Sequence, residues 1–74
     1  SSDLEITLPE DSELARKSLM ELSLPQTCNV VCISRGGHTL IPRGQTRLHG
    51  GDVLLVVTLR HGVRDLRKAL RIKD

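Results

Sequence analysis

The sequence predicts an α+β fold: a single small domain over residues 1–74, with elements in the order β-α-β-β-β-α and a mostly antiparallel sheet. Its length is that of one domain. Several short apolar runs either alternate with polar residues or are apolar on both faces, as strands do, and the C-terminal segment has apolar residues at helical spacing. Between the second and third runs, Gly36-Gly37 provides a two-residue hairpin turn, because both positions accept positive φ.

One strand and two short helical pieces are predicted in the first third of the chain. Leu4–Leu8 alternates apolar and polar residues, which predicts a strand with one exposed face, and Pro9 ends it. Residues 12–23 are predicted to form two helical pieces rather than one long helix. Ser18 and Glu21 have the spacing of a capping box, in which side-chain and backbone groups at a helix start satisfy each other.

Three further strands are predicted in the middle of the chain, at residues 29–35, 38–42 and 53–58. The first and third are apolar on both faces, which indicates strands that are covered on both sides. Pro42 suits the end of a strand, where no ladder donor is needed. The stretch from Leu40 to Val57 is predicted to form the core hairpin of the domain, with a Gly-rich connection between its two strands.

Regular alternation along residues 29–35 predicts which side chains share a face. One face carries Val31, Ile33 and Arg35, and the other carries Val30 and Cys32. The C-terminal segment, residues 62–74, is predicted to be an amphipathic helix. Its apolar positions are Val63, Leu66, Ala69 and Leu70, and its last turns carry the cations Lys68, Arg71 and Lys73.

The aliphatic composition predicts that the domain needs support from a second copy. The chain has no Phe, Tyr or Trp, and a domain of this size buries only about 60% of the surface that its unfolded chain exposes. A disulfide is not expected to help. Cys28 and Cys32 would lie roughly 13 Å apart along one strand, whereas a disulfide needs Cα atoms within about 7 Å. Free thiols in a reducing compartment and a homodimer are therefore expected.

Composition and spacing argue against a membrane span, a metal centre and catalysis. No apolar run approaches the roughly 18 residues that a span requires. His38, His49 and His61 are scattered singly, without the spacing of a zinc site. Asp52 lies near His49, but no Ser or Cys nucleophile with a positioned base accompanies them. The chain is not expected to be an enzyme, and Asp52 is interpreted as a turn residue that binds nearby backbone N–H groups.

Two long segments resemble the C-terminal domain of regulators of potassium conductance, called RCK-C or TrkA-C. They are SELARKSLMELSLP, residues 12–25, and VVCISRGGHTLIPRGQTRLHGGDVLLVV, residues 30–57. The order of a Lys-Ser-Leu step, an apolar strand ending in Arg, an Ile-Pro pair and a Gly-Asp turn is similar to that family, and the resemblance extends from about Leu4 to Leu70. Arg16 departs from it, because the family often has Gly before the Lys, and a positive φ would strain an arginine there.

The resemblance implies a ligand-sensing and dimerising regulatory domain that is part of a longer protein. The host would be a membrane-embedded cation transporter, antiporter or channel-gating subunit, with potassium as the expected ion and the domain at the cytoplasmic face of the membrane. A nucleotide such as cyclic di-AMP is a candidate ligand. The alternative is a purely structural dimerisation domain that binds no small molecule. Nucleic acid is not an expected partner, since no aromatic residue is available to stack on bases.

The resemblance also suggests which residues would contact the ligand, at one rim of the sheet. Arg35 would bind a phosphate through its forked guanidinium, while the apolar residues Leu40, Ile41 and Pro42 would pack on a base or ribose. Two arginines of the polar connection, Arg43 and Arg47, flank Gly44 and form a weaker candidate anion site, for which the alternative is a solvated loop.

Overall fold

The computed structural model describes residues 2–72, in which it contains four strands and one α-helix. The strands are β1 (Ser2–Thr7), β2 (Cys28–Arg35), β3 (His38–Leu40) and β4 (Val53–Thr58), and the helix is α1 (Val63–Ala69). Two single 3₁₀ turns, Leu19–Glu21 and Arg60–Gly62, precede β2 and α1. The predicted positions of the four strands are confirmed to within two residues at each end.

The four strands form one antiparallel sheet in the order β1-β4-β2-β3. β4 therefore lies near the centre, between β1 and β2, whereas β3 is an edge strand that pairs with β2. The hairpin predicted from Leu40 to Val57 is wrong, because β3 and β4 are not neighbours in the sheet. The connection between them instead carries the chain from the β3 edge past β2 to the central position.

That connection pairs with the first third of the chain rather than forming a solvated loop. The bonds link Arg16 N–H to the Leu48 carbonyl (2.7 Å), Leu48 N–H to the Lys17 carbonyl (2.9 Å) and Leu19 N–H to the Thr46 carbonyl (3.0 Å). These bonds join residues 16–19 to residues 46–48 as a short ribbon outside the sheet, in which Ser18 lies opposite Arg47. Leu14 and Leu48 are almost fully buried, so this ribbon covers part of the core face of the sheet.

The core lies between one face of the sheet and the elements that cover it. Leu54 of β4 is completely buried, with Ile6 paired beside it on β1 and Ile33 on β2. Leu66 of helix α1 and Leu70, the residue that follows the helix, are also completely buried. Each of these side chains contributes about 1.5–3 kcal/mol by its removal from water, so the core face of the sheet is where the stability of the domain is concentrated.

A β-bulge at Val31 changes which residues of β2 face the core. The bulge inserts one extra residue into the strand, so that Val30 and Ile33 both face the core while Cys32 lies on the opposite face. The predicted grouping of Val30 with Cys32, and of Val31 with Ile33, is therefore wrong, since it assumed an unbroken ladder. The same bulge leaves Cys28 and Cys32 as free thiols on opposite faces of β2.

The helical elements are shorter than predicted. Residues 13–16 form turns, and only Leu19–Glu21 forms a 3₁₀ turn. The predicted capping box is confirmed, because Glu21 Oε2 accepts hydrogen bonds from the Ser18 backbone N–H (2.6 Å) and hydroxyl (3.1 Å). Helix α1 ends at Ala69, earlier than predicted. Lys73, one of the predicted terminal cations, lies outside the described residues.

Two arginines adopt the left-handed backbone conformation, Arg16 at φ 73° and Arg71 at φ 56°. Arg71 follows the end of α1, where its N–H and that of Ile72 bond to the Lys68 and Arg67 carbonyls at 3.0 Å. This is the Schellman arrangement, which glycine usually completes. At Arg16 the left-handed turn leads the chain into the ribbon, so this position has the positive φ that was expected to strain an arginine.

We expect Arg16→Gly to raise the free energy of unfolding by about 0.5–1 kcal/mol. The left-handed conformation costs a residue with a Cβ about 1–2 kcal/mol, and the greater freedom of glycine in the unfolded chain offsets part of this gain. Urea denaturation measures the difference. Arg16→Ala is the matched control, because it removes the side chain and retains the Cβ; an equal gain in both variants would assign the effect to the side chain instead.

Candidate ligand-binding site

The predicted site lies at the β2–β3 edge, where the chain makes a tight turn. Gly36 and Gly37 both have positive φ, 54° and 81°, as a two-residue hairpin turn of this hand requires. Arg35 and His38 face each other across the ends of the two strands. The predicted hairpin turn is thereby confirmed, and the turn holds Arg35 at the same end of the sheet as the connection that follows β3.

Arg35 forms a two-point ion pair with Asp52. Its Nε donates to Asp52 Oδ1 and its Nη2 to Oδ2, both at 2.8 Å, and Nη2 also donates to the Arg47 carbonyl at 2.9 Å. The Asp52 side chain has no exposed area, whereas 29% of the Arg35 side chain is exposed. The His49 backbone N–H donates to Asp52 Oδ2 at 2.8 Å, as expected of a turn aspartate. The pair therefore joins the end of β2 to the turn before β4.

The protonation states of both partners favour the ion pair. Burial acts to raise the pKa of Asp52, but the hydrogen bonds from Arg35 and from the His49 N–H oppose it and leave this pKa below its usual range. The Asp52 hydrogen bond raises the pKa of Arg35, against a smaller opposing effect of burial. Both groups are therefore charged at neutral pH.

The three apolar residues predicted for the site have different environments. Leu40 pairs with Ile33 at the end of β3 and packs against the core. Ile41 is 76% exposed, and Met20 is 70% exposed beside the same connection. Met20 is held there by its N–H, which donates to the Gly44 carbonyl at 2.9 Å. The β3 edge thus presents an aliphatic rim to solvent, formed by Ile41, Pro42 and Met20.

A shallow pocket of about 220 Å³ adjoins this rim. Its lining consists of Leu19, Leu24, Cys28, Asn29, Val30, Pro42, Arg43 and Gly44. Pro42 and Arg43, which are consecutive in the chain but were predicted as members of two separate sites, both line this pocket. Arg35 is not among the lining residues, since its guanidinium is bound to Asp52 on the core side of the sheet.

The second predicted anion site is divided by the fold. Arg43 starts a turn in which its N–H donates to the Thr46 hydroxyl at 2.8 Å. Arg47 points elsewhere, because its guanidinium donates to the Arg16 carbonyl at 2.6 Å and lies 3.9 Å from the Glu21 carboxylate. Arg43 and Arg47 thus act at different places, one at the rim pocket and one across the ribbon.

Sequence reasoning missed the ion pair of Arg35 although the pattern contained a signal. An arginine that shares the core face of a strand with Ile33 requires a carboxylate partner, and Asp52 was interpreted only as a turn residue. Among residues 2–72, no three His, Cys, Asp or Glu side chains converge as metal ligands would. Within the same range, no helix combines the length and apolar character of a bilayer-spanning segment.

The sheet, the helix and the ribbon define a small α+β domain with an exposed aliphatic rim beside a pocket. The chain belongs to the TrkA-C domain family, which it matches over residues 4–71. The resemblance drawn from the sequence is thereby confirmed.

Curated relatives include potassium uptake proteins. The chain is 34% identical over 67 residues to the Trk system potassium uptake protein TrkA of Mycobacterium tuberculosis, a match that covers 90% of this chain and 30% of that protein. It is 36% identical over 64 residues to a TrkA homolog of Archaeoglobus fulgidus, covering 86% of this chain and 15% of the homolog. The chain therefore spans less than a third of the length of these relatives.

Solved structures confirm the predicted fold class. The RCK_C domain dimer of S. agalactiae BusR, in complex with c-di-AMP, superposes with a TM-score of 0.80 and 25% identity, covering 99% of this chain and 100% of that one. BusR in complex with its busA-promotor DNA gives the same TM-score and identity, over 97% of this chain and 38% of that one. The GsuK channel bound to NAD, at a TM-score of 0.78 and 21% identity, shares the fold.

Proposed function

We propose that this chain is the dimerising, ligand-sensing regulatory domain of a cation transporter, antiporter or channel-gating subunit, with potassium as the transported ion. The observation that carries the proposal is the exposed aliphatic rim beside a small pocket, with Ile41 76% exposed. Large exposed apolar groups next to a concavity are typical of interaction sites. The TrkA relatives and the ligand-bound BusR dimer support the same function.

The size of the pocket favours a ligand shared by two copies of the chain. About 220 Å³ is below the range of roughly 300–1,000 Å³ usual for small-molecule sites. Two such pockets facing each other across a two-fold axis provide twice that volume, about 440 Å³. A cyclic dinucleotide has two-fold symmetry of its own, so each copy of the domain would take one nucleotide half. Cyclic di-AMP is therefore the proposed ligand.

The proposed contacts follow from the chemistry at the rim. Ile41 and Pro42 provide aliphatic surface on which adenine or ribose packs, with Leu40 supporting them from the core. Arg43 lies in the lining beside Pro42 and can reach a phosphate. Arg35 contributes to a phosphate only through Nη1, because its Nε and Nη2 are bound to Asp52 and to the Arg47 carbonyl.

Regulation would act through the relative arrangement of the two copies. A ligand held between them shifts the host protein only by its difference in affinity for the two arrangements. The domain would work at the cytoplasmic face of the membrane, as one part of a longer chain. The DNA complex of BusR involves a chain of which this domain covers 38%, and we assign no nucleic-acid contact to the domain itself.

A purely structural dimerisation domain is the second candidate. The Arg35–Asp52 pair favours it, because the arginine best suited to bind a phosphate already stabilises the fold. In that case the rim is an apolar dimer contact and no small molecule occupies the pocket.

The experiment that tests the proposed function combines sedimentation with thermal unfolding. We expect a sedimentation mass near twice the 8.2 kDa of the monomer and a melting temperature that rises with cyclic di-AMP. At 100 times the dissociation constant the stabilisation is about 2.7 kcal/mol, which corresponds to roughly 10 °C or more in a domain of this size. Ile41→Asp is expected to abolish both effects, since it buries an unpaired charge at the interface.

Leu59→Asp is the matched control, because Leu59 is also exposed but follows β4, and it is not part of the rim or of the pocket lining. It should leave the dimer and the ligand response intact. A dimer that ignores cyclic di-AMP would support the structural alternative. A monomeric wild type, or an Ile41→Asp variant that stays dimeric, would contradict the proposed interface.

A further inference from the structure

A second pocket, larger than the one at the rim, lies between α1 and the first third of the chain. Its volume is about 340 Å³, and its lining consists of Leu14, Lys17, Glu21, Leu22, Ser23, Lys68, Ala69 and Arg71. It shares no lining residue with the rim pocket. Residues 19–24 contribute to the lining of both pockets, and the anion site predicted from the sequence at Arg43 and Arg47 includes no residue of the second pocket.

Three cations line this pocket beside an apolar floor. The floor is formed by Leu14, Leu22 and Ala69, and the cations of the lining are Lys17, Lys68 and Arg71. Within residues 2–72, no carboxylate oxygen lies within 4.0 Å of either lysine ammonium group. Glu21 also lines the pocket and attracts Lys17, but the three cations outnumber this one carboxylate of the lining. An excess of positive charge in a concavity raises its affinity for an anion.

The two carboxylates nearby are Glu21 and Glu13, and each acts on one cation of this pocket. Glu21 Oε2 is bound by the Ser18 N–H and hydroxyl, and these bonds lower the pKa of Glu21. Glu13 lies 3.4 Å from Arg71, but both side chains are largely exposed, and such ion pairs contribute little. The carbonyl of Lys68 at the end of α1 is bound to the Arg71 N–H. An anion can therefore displace Glu13 from Arg71 at little cost.

One left-handed arginine lines this pocket, and the other is the sequence neighbour of a lining residue. Arg71 is in its lining, and Arg16 directly precedes Lys17. Non-glycine residues in this conformation carry a cost of about 1–3 kcal/mol and are concentrated at functional sites. The two strained positions orient the chain so that one cation from the ribbon and two from the end of α1 surround the same cavity.

We propose that this pocket binds a small phosphate-bearing anion, of the class of a mononucleotide or sugar phosphate. The phosphate would be held by Lys17, Lys68 and Arg71, and the organic part would cover the apolar floor, which an inorganic anion leaves uncovered. The volume is within the range of sites for molecules of this size. The site lies apart from the one proposed for the cyclic dinucleotide and does not depend on it.

Calorimetric titration of the full chain with inorganic phosphate, pyrophosphate and AMP tests the proposal. We expect AMP to bind more tightly than inorganic phosphate, and Lys17→Gln with Lys68→Gln to weaken AMP about a hundredfold, since each charge-assisted contact contributes roughly tenfold. Glu13→Gln frees Arg71 and is expected to strengthen AMP binding several-fold. Ile41→Asp should leave AMP binding unchanged, so this result is separable from a failure of the rim site.

Arg64→Gln is the matched control for charge, since Arg64 is exposed on α1 but does not line the pocket. Equal weakening in Arg64→Gln and in the lysine variants would show non-specific attraction and overturn the proposal. So would a wild type that binds none of the three anions at millimolar concentration. Circular dichroism of each variant checks that the fold is retained, and the gain expected for Glu13→Gln cannot arise from misfolding.

Discussion

Replacement of Arg35 by alanine is expected to lower the free energy of unfolding by about 3 kcal/mol or more at neutral pH. Arg35 makes two hydrogen bonds to the Asp52 carboxylate, which has no exposed side-chain area. Without the guanidinium, the buried carboxylate keeps, among residues 2–72, the His49 N–H as its one remaining hydrogen-bond donor. Urea denaturation at pH 7 measures the loss, and a variant within 1 kcal/mol of the wild type would contradict a structural role of the pair.

The same pair predicts a pH dependence with a definite sign. The pKa of Asp52 is lower in the folded protein than its ordinary value near 4. Its contribution to stability is therefore present above about pH 4 and is lost as the pH falls through the folded pKa. In Arg35→Ala, burial without the arginine raises that pKa instead, so acid neutralises an unfavourable charge. The stability difference between wild type and variant should narrow as the pH falls below 4.

Asp52→Asn separates the charge from the geometry. It removes the carboxylate charge but leaves Arg35 able to reach water, so a smaller loss of about 1–2 kcal/mol is expected. In the double variant Arg35→Ala with Asp52→Asn, the loss of unfolding free energy should be less than the sum of the two single losses, because each single change removes the same interaction. Additive losses would indicate that the two side chains act independently. The coupling energy from these variants also shows whether the Arg35 guanidinium can leave Asp52 to bind a ligand, since a strongly coupled pair does not open readily.

Much of the fold was predictable from local patterns. The Gly36-Gly37 turn, the capping box at Ser18 and the apolar positions of α1 depend on residues close together in sequence, and each is confirmed. The strand order was not predictable in this way. β4 lies between β1 and β2 because of pairings across most of the chain, and the run from Leu40 to Val57 looks like a hairpin only if neighbours in sequence pair.

The candidate site was less predictable than the fold for a related reason. After the bulge at Val31, the residues of β2 face the opposite side of the sheet from the one that regular alternation predicts. No residue type in the strand indicates the bulge. Asp52, the partner of Arg35, is 17 positions further along the chain. Whether the two side chains meet therefore depends on the turn before β4. The ribbon similarly separates Arg47 from Arg43. A site that is assembled from distant segments can be predicted only when the register of the whole sheet is known.

Leu54→Ala is expected to lower the free energy of unfolding by about 3 kcal/mol. Leu54 is completely buried between Ile6 and Ile33, and removal of a buried leucine leaves a cavity that costs about 2.7–5 kcal/mol. A domain of 74 residues has a free energy of unfolding on the order of 7 kcal/mol. The variant should therefore retain roughly half of its stability, which urea denaturation measures against the wild type.

Leu55→Ala is the matched control, and it also examines the opposite face of the sheet. Leu55 is the next residue of β4 and is half-buried on that face, beside Glu5 of β1 and Cys32 of β2. If two copies meet at the Ile41 rim, Leu55 lies outside the interface, and its truncation should cost only about 1 kcal/mol at any protein concentration. A loss as large as that of Leu54→Ala, growing as the protein is diluted, would move the dimer contact from the β3 edge to the open face of the sheet.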